Sequence, residues 1–101
     1  MVVVYRTPAD RVLFEKHYFQ EHIPMVKKLP GVRKYEVSKG PIVTPNGDTG
    51  FYFIAILHFD DMAAIKKAYA TPEGIALAGD RKILAPNEGD SQIYLFDSQE
   101  I

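Results

Sequence analysis

Residues 51–59 read Phe-Tyr-Phe-Ile-Ala-Ile-Leu-His-Phe, a run apolar on both of its alternating sides. Successive side chains of an extended strand point to opposite faces. Phe51, Phe53, Ala55, Leu57 and Phe59 therefore share one side, and Tyr52, Ile54, Ile56 and His58 share the other. The aromatic and β-branched content and the flanking turn residues make the run a strand. Two greasy faces mean that both sides of the sheet it joins must be covered. The same doubling recurs in Val2–Arg6, where Val2 and Val4 oppose Val3 and Tyr5, and in Gln92–Phe96, where Ile93 and Leu95 oppose Tyr94 and Phe96.

Around these runs the periodicity switches in a definite order. The first strand ends at Thr7-Pro8, and Asp10 is placed to cap a helix that continues to about Leu29, disturbed at Pro24 and closed by Pro30-Gly31. Residues 32–39 form a second strand, with Arg33, Tyr35 and Val37 on one side. Residues 40–50, rich in Gly, Pro, Asn, Asp and Thr, are a long hairpin loop rather than a linker. After the third strand, Asp60 or Asp61 caps a helix over 62–70. Thr71-Pro72-Glu73 then opens another helix reaching about Leu84. The order β-α-β-β-α-(α)-β is the split βαβ arrangement of ferredoxin-like folds: one α+β domain over 1–101 with a four-stranded antiparallel sheet and its helices on one face. The second apolar face then needs a cover, and a second copy packed sheet to sheet supplies one. A homodimer is expected.

Composition excludes several partners. Net charge is −1 with both signs scattered, so no basic stripe exists for nucleic acid. No apolar run is long enough to span a bilayer. Strand-like sequence from Val2 leaves no place for a targeting peptide, and the chain has no cysteine, as expected of a cytoplasmic protein that uses neither disulfides nor thiolates.

Proton chemistry is suggested by the first helix. Phe14, Tyr18 and Met25 fall on one apolar stripe, with His22 on its shoulder one turn after Tyr18. Pro24 has no N–H for the carbonyl of Gln20 and disfavours helical geometry at Ile23. An imidazole leaning inward beside a helix break can act as a general base or orient a substrate oxygen. The alternative is a structural ring satisfying a backbone carbonyl. Tyr18 can join a proton network with His22 or serve as a core tyrosine. Tyr35 and His58 are candidate polar points in an otherwise apolar cavity, or satisfied core and interface residues.

The succession Phe14-x-x-x-Tyr18-x-x-x-His22-x-Pro24, Leu29-Pro30-Gly31, Phe59-Asp60, Thr71-Pro72-Glu73-Gly74 and Asp80 resembles the EthD family, named for ethyl tert-butyl ether degradation. The resemblance spans nearly the whole chain. It implies a dimeric α+β barrel related to cofactor-independent monooxygenases, muconolactone isomerase and polyketide cyclases, and association with degradation pathways. It also implies that Asp80 turns back toward the histidine; without it, Asp80 reads as a helix-surface charge.

Metal ligation is not expected. His17 and His22 are five positions apart, about 140° around an ideal helix, and there is no His-Glu-x-x-His and no carboxylate cluster. His17 and Glu21 share a face that is expected to be solvated. Nor is a nucleotide or flavin cofactor expected, since no glycine fingerprint or phosphate loop occurs; haem would need no such motif. The leading expectation is a cofactor-independent enzyme (monooxygenase, isomerase or cyclase-like) acting on a hydrophobic or aromatic small molecule. His22, Tyr18 and Asp80 would do the chemistry, and Tyr35 and His58 would contact substrate. The rivals are a non-catalytic carrier of a hydrophobic intermediate for a partner oxygenase, and a purely structural dimer with no cavity of roughly 300 Å³ left.

Overall fold

A computed structural model describes residues 1–101. The chain runs β1 (Val2–Arg6), α1 (Arg11–His17), a π-helical turn (Tyr18–His22), α2 (Ile23–Lys27), β2 (Lys34–Val37), β3 (Val43–Thr44), β4 (Gly47–Asp48), β5 (Phe51–His58), α3 (Met62–Tyr69), α4 (Pro72–Leu84) and β6 (Ser91–Tyr94). The main sheet is antiparallel in the order β2-β5-β1-β6, while β3 and β4 form a two-stranded ribbon inside the long loop. The doubly apolar strands β1 and β5 are the two central ones, whereas β6, doubled in the same way, lies at the edge.

Register sorts the faces. Val3 pairs with Ala55 and Ile93, Tyr5 with Phe53, and Tyr35 with Leu57. These residues face the helices, and Val3, Tyr5, Phe53, Ala55 and Leu57 are buried among Phe14, Tyr18, Val26, Leu29, Ile65, Ala68, Leu77 and Leu84. Aromatic rings dominate one end of this core: Tyr5 meets Phe14 edge-on at 5.3 Å between centroids, and Tyr18 meets Phe53 at 4.5 Å. On the opposite face Val2, Ile54 and Ile56 stay half-buried and Val4 is nearly covered, while Tyr94, Lys34, Glu36 and His58 at the rim are exposed. The single chain puts no helix over this face.

Local chemistry sets the helix ends. Asp10 accepts the Leu13 N–H at 3.0 Å, and Asp61 accepts that of Ala64 at 2.8 Å. Asp60, the other candidate cap, instead accepts two hydrogen bonds from the Arg33 guanidinium at 2.8 and 3.0 Å. Thr71 caps α4 through the Gly74 N–H at 3.1 Å and donates its hydroxyl to Ala68 O at 2.5 Å, locking α4 onto the end of α3. Gly74 is required there: a Cβ would overlap the Ala68 carbonyl oxygen.

Pro24 does not break the first helix. The chain winds in extra residue length, with the Ile23 N–H donating to Tyr18 O five residues back, and Pro24 falls in the first turn of α2, where its missing N–H is tolerated. This π-turn sets the phase of every side chain around it. It matters more for the site than any other backbone feature.

Candidate active site

The π-turn corrects one expectation directly. On an ideal α-helix His17 and His22 diverge, but residues five apart are one turn apart where the repeat is i to i+5. Both rings reach the same carboxylate. His22 Nδ1–H donates to Asp80 Oδ2 at 2.7 Å, and His17 Nε2–H donates to Asp80 Oδ1 at 2.8 Å. A carboxylate only accepts, so each facing nitrogen carries a proton. Side-chain exposure is 7% for His22 and 9% for Asp80, against 26% for His17, so the triad leads from a wetted edge to a dry interior.

Asp80 is delivered by α4. Gly74, Leu77, Asp80 and Leu84 are that helix's buried residues, spaced three, three and four apart, so the carboxylate occupies a core position in an apolar stripe. A charge there is sustained only by partners, and the two imidazoles are those partners. The helix-surface alternative for Asp80 does not hold.

Burial pulls the His22 pKa below the ordinary histidine value, and the hydrogen bond to Asp80 opposes this without reversing it. The ring is therefore neutral at neutral pH. With Nδ1 protonated toward Asp80, Nε2 holds the lone pair; it makes no hydrogen bond to the protein, and since no fully buried side-chain nitrogen or oxygen lacks a partner, it keeps some accessible surface. His22 lines a cavity of about 20 Å³ between helices and sheet, walled by Val3, Tyr5, Tyr18, Val26, Tyr69 and Arg81 among others. That is space for roughly one water, because aromatic rings fill what the topology leaves. The pocket expected beside His22 is thus present but small.

Tyr18 and Tyr35 meet hydroxyl to hydroxyl at 2.5 Å. Burial raises the pKa of both phenols, so both stay protonated, and whichever oxygen accepts keeps its own O–H to donate elsewhere. The Tyr18 ring also lies 4.9 Å from the His22 ring, centroid to centroid. The structure brings His22, Tyr18, Tyr35 and Asp80 together.

It does not bring His58. That residue pairs with Lys34 on the opposite face of the sheet, where its Nε2–H donates to Glu36 Oε1 at 2.9 Å. The His58 hydrogen bond holds the Glu36 carboxyl below its usual range. Grouping His58 with the His22 cavity is corrected by the pleat, since Leu57 takes the helix-facing position. Three residues were missed by the sequence reading: His17, Tyr69 and Arg81. The five-residue spacing of His17 from His22, ahead of a proline at 24, was the available signal. No group of three His, Cys, Asp or Glu side chains has the arrangement of a metal site.

With this geometry established, the chain can be set against known proteins. The EthD domain family matches residues 6–85, four-fifths of the chain. The chain belongs to the EthD family. A Rhodococcus erythropolis relative, described as an uncharacterized 11.0 kDa protein in the thcB-thcC intergenic region, is 34% identical over 80 residues, 79% of this chain and 77% of that protein. The crystal structure of an EthD family protein from Bacillus halodurans superposes with a TM-score of 0.73 at 34% identity, covering 81% of each chain. A dimeric Bacteroides fragilis protein of unknown function and ferredoxin-like fold gives a TM-score of 0.58 at 23% identity over 90% of this chain and 86% of its own, a likeness of fold alone. The matched span of this EthD protein contains His17, Tyr18, His22, Tyr35 and Asp80.

Proposed function

We propose that this EthD protein is a cofactor-independent acid–base enzyme acting on a hydrophobic, oxygenated small molecule, with His22 as its base. The observation that carries the reading is the buried, neutral imidazole held through Nδ1 by Asp80, with an unpartnered Nε2 in a group that lines a cavity. Nε2 removes a proton from a carbon next to a carbonyl, and the C–H electron pair moves onto the carbonyl oxygen as an enolate. Asp80 stabilises the imidazolium that forms, and the phenol pair Tyr18–Tyr35 supplies an O–H to the developing oxyanion. Return of the proton to the same or another carbon gives exchange or isomerisation, with no redox partner. The water-sized cavity admits only the reacting end of such a molecule in the conformation described.

The half-covered face of Val2, Val4, Ile54 and Ile56 supports a homodimer packed sheet to sheet in this reading, as does the dimeric state of the Bacteroides protein. The cytoplasm and a degradation pathway are its proposed setting. The groove of about 420 Å³ between α3, α4 and β6 favours a second reading, a carrier that binds without turnover.

The two readings separate on solvent exchange. Wild-type protein in D2O is expected to accelerate deuterium uptake at the acidic carbon of 2-tetralone, read by proton NMR, and His22→Ala to return the rate to that of buffer. Equal rates for wild type and His22→Ala would remove His22 as the base.

A further inference from the structure

We propose that the substrate of this site is an anion with an apolar body, bound in the groove between α3, α4 and β6 with Arg81 as its anchor. The inference rests on the proton-transfer reading for what happens at His22, and on separate observations for the anion. The groove has a volume of about 420 Å³ and apolar walls that include Ile65, Ala78, Ile93 and Leu95. That volume lies within the usual span of small-molecule sites, roughly 300–1,000 Å³. The charged side chains lining it are Lys66 and Arg81, and no carboxylate does.

Arg81 is the odd one among four arginines. Arg6 donates to Gly89 O, Arg11 lies over the Tyr52 ring, and Arg33 grips Asp60 with two hydrogen bonds. Arg81, half-buried, has neither an ion pair nor a side-chain hydrogen bond. Its sequence neighbour Asp80 makes neither an ion pair nor a hydrogen bond with it, and turns its two oxygens to His17 and His22 instead. A guanidinium partly withdrawn from water beside apolar walls is a standing cost that a planar anion relieves through two parallel hydrogen bonds.

Tyr69 and Arg81 also wall the His22 cavity, so the groove and the cavity abut at these two side chains. An anionic group held by Arg81 would place its neighbouring atoms toward Nε2 of His22. A carboxylate one or two bonds from an acidic carbon, or the oxygen of an enol or phenol, fits both requirements. Tyr5, Tyr69, His22 and Lys66 line the cavity or the groove together with Arg81, and Asp80 precedes it in the chain. Burial holds the phenols protonated, with Tyr69 pushed up to about 12, so Asp80 is the one anion among them and it is already shared.

The test compares 4-phenylbutanoate with its neutral amide, 4-phenylbutanamide, by isothermal titration and by amide chemical shifts. The carboxylate is expected to bind at least ten-fold tighter than the amide and to shift the Ala78, Ile93 and Tyr69 signals. Arg81→Met, which keeps the aliphatic stem, is expected to bring the two probes within about two-fold; Arg81→Lys is expected to keep a weakened preference. Equal affinities in wild type, no binding of either probe, a preference that survives Arg81→Met, or shifts elsewhere would each overturn the anion site. Carboxylate binding at the groove without 2-tetralone exchange would uphold the anchor and discard the base. Exchange without carboxylate preference would do the reverse.

Discussion

Replacing Asp80 by alanine removes the acceptor for two imidazole N–H groups at once, and the structure says how much each loss costs. His22 is almost fully enclosed, so its stranded Nδ1–H incurs a desolvation penalty of about 1–3 kcal/mol. His17 is a quarter exposed and can turn to water, so its contribution is smaller. Together the loss is about 2–4 kcal/mol, and at ~4–8 °C per kcal/mol for a domain of this size the melting temperature should fall by roughly 8–32 °C. Urea denaturation at pH 7 with matched m-values is the assay. Asp80→Asn is the control: it keeps shape and one acceptor oxygen, so one histidine retains its bond while the other must accept from the amide. It should lose less than alanine does. If Asp80→Ala unfolded within about 0.5 kcal/mol of wild type, the scale of an ordinary surface substitution, the shared carboxylate would not organise this site.

Further predictions follow from other contacts. His22 has a folded pKa below its unfolded value, so between the two the unfolded chain binds the extra proton. Stability should therefore fall as pH drops below about 6.5, by no more than ~1.4 kcal/mol per pH unit from this group, and His22→Gln should flatten that part of the profile in urea melts. Removing the Asp80 charge with Asp80→Asn should depress the His22 pKa further, measured by titrating the ring C–H resonances; an unchanged or raised value would contradict the assigned contact. Tyr18→Phe and Tyr35→Phe should each cost about 0.5–1.5 kcal/mol and the double variant less than their sum, the mark of one shared hydrogen bond; strict additivity would separate them. Gly74→Ala should destabilise by about 1–3 kcal/mol through overlap with the Ala68 carbonyl, and a neutral result in a thermal melt would show that α4 can shift.

Much of the architecture was legible because pleat alternation and caps are local. The doubly apolar runs at 2–6 and 51–59 announced two strands, and the Asp60-Asp61 pair and Thr71 announced the starts of α3 and α4. The site was legible only in part. Pro24 flagged a disturbed helix, but ideal helical geometry cannot show that the disturbance is a π-turn, and so it separated His17 from His22. Asp80 was a charge at a core position of α4, visible as such only once Leu77 and Leu84 were known to face inward. His58 was misplaced even though parity within β5 sets it against Leu57. Tyr69 and Arg81 join the site through the packing of α3 and α4, which no local pattern in either helix reports.

The nitrogen-15 spectrum of the His22 ring at pH 7.5 tests the central claim most directly. The account predicts a neutral ring with its proton on Nδ1 and an unprotonated Nε2. A ring protonated on Nε2, or an imidazolium at that pH, would contradict it.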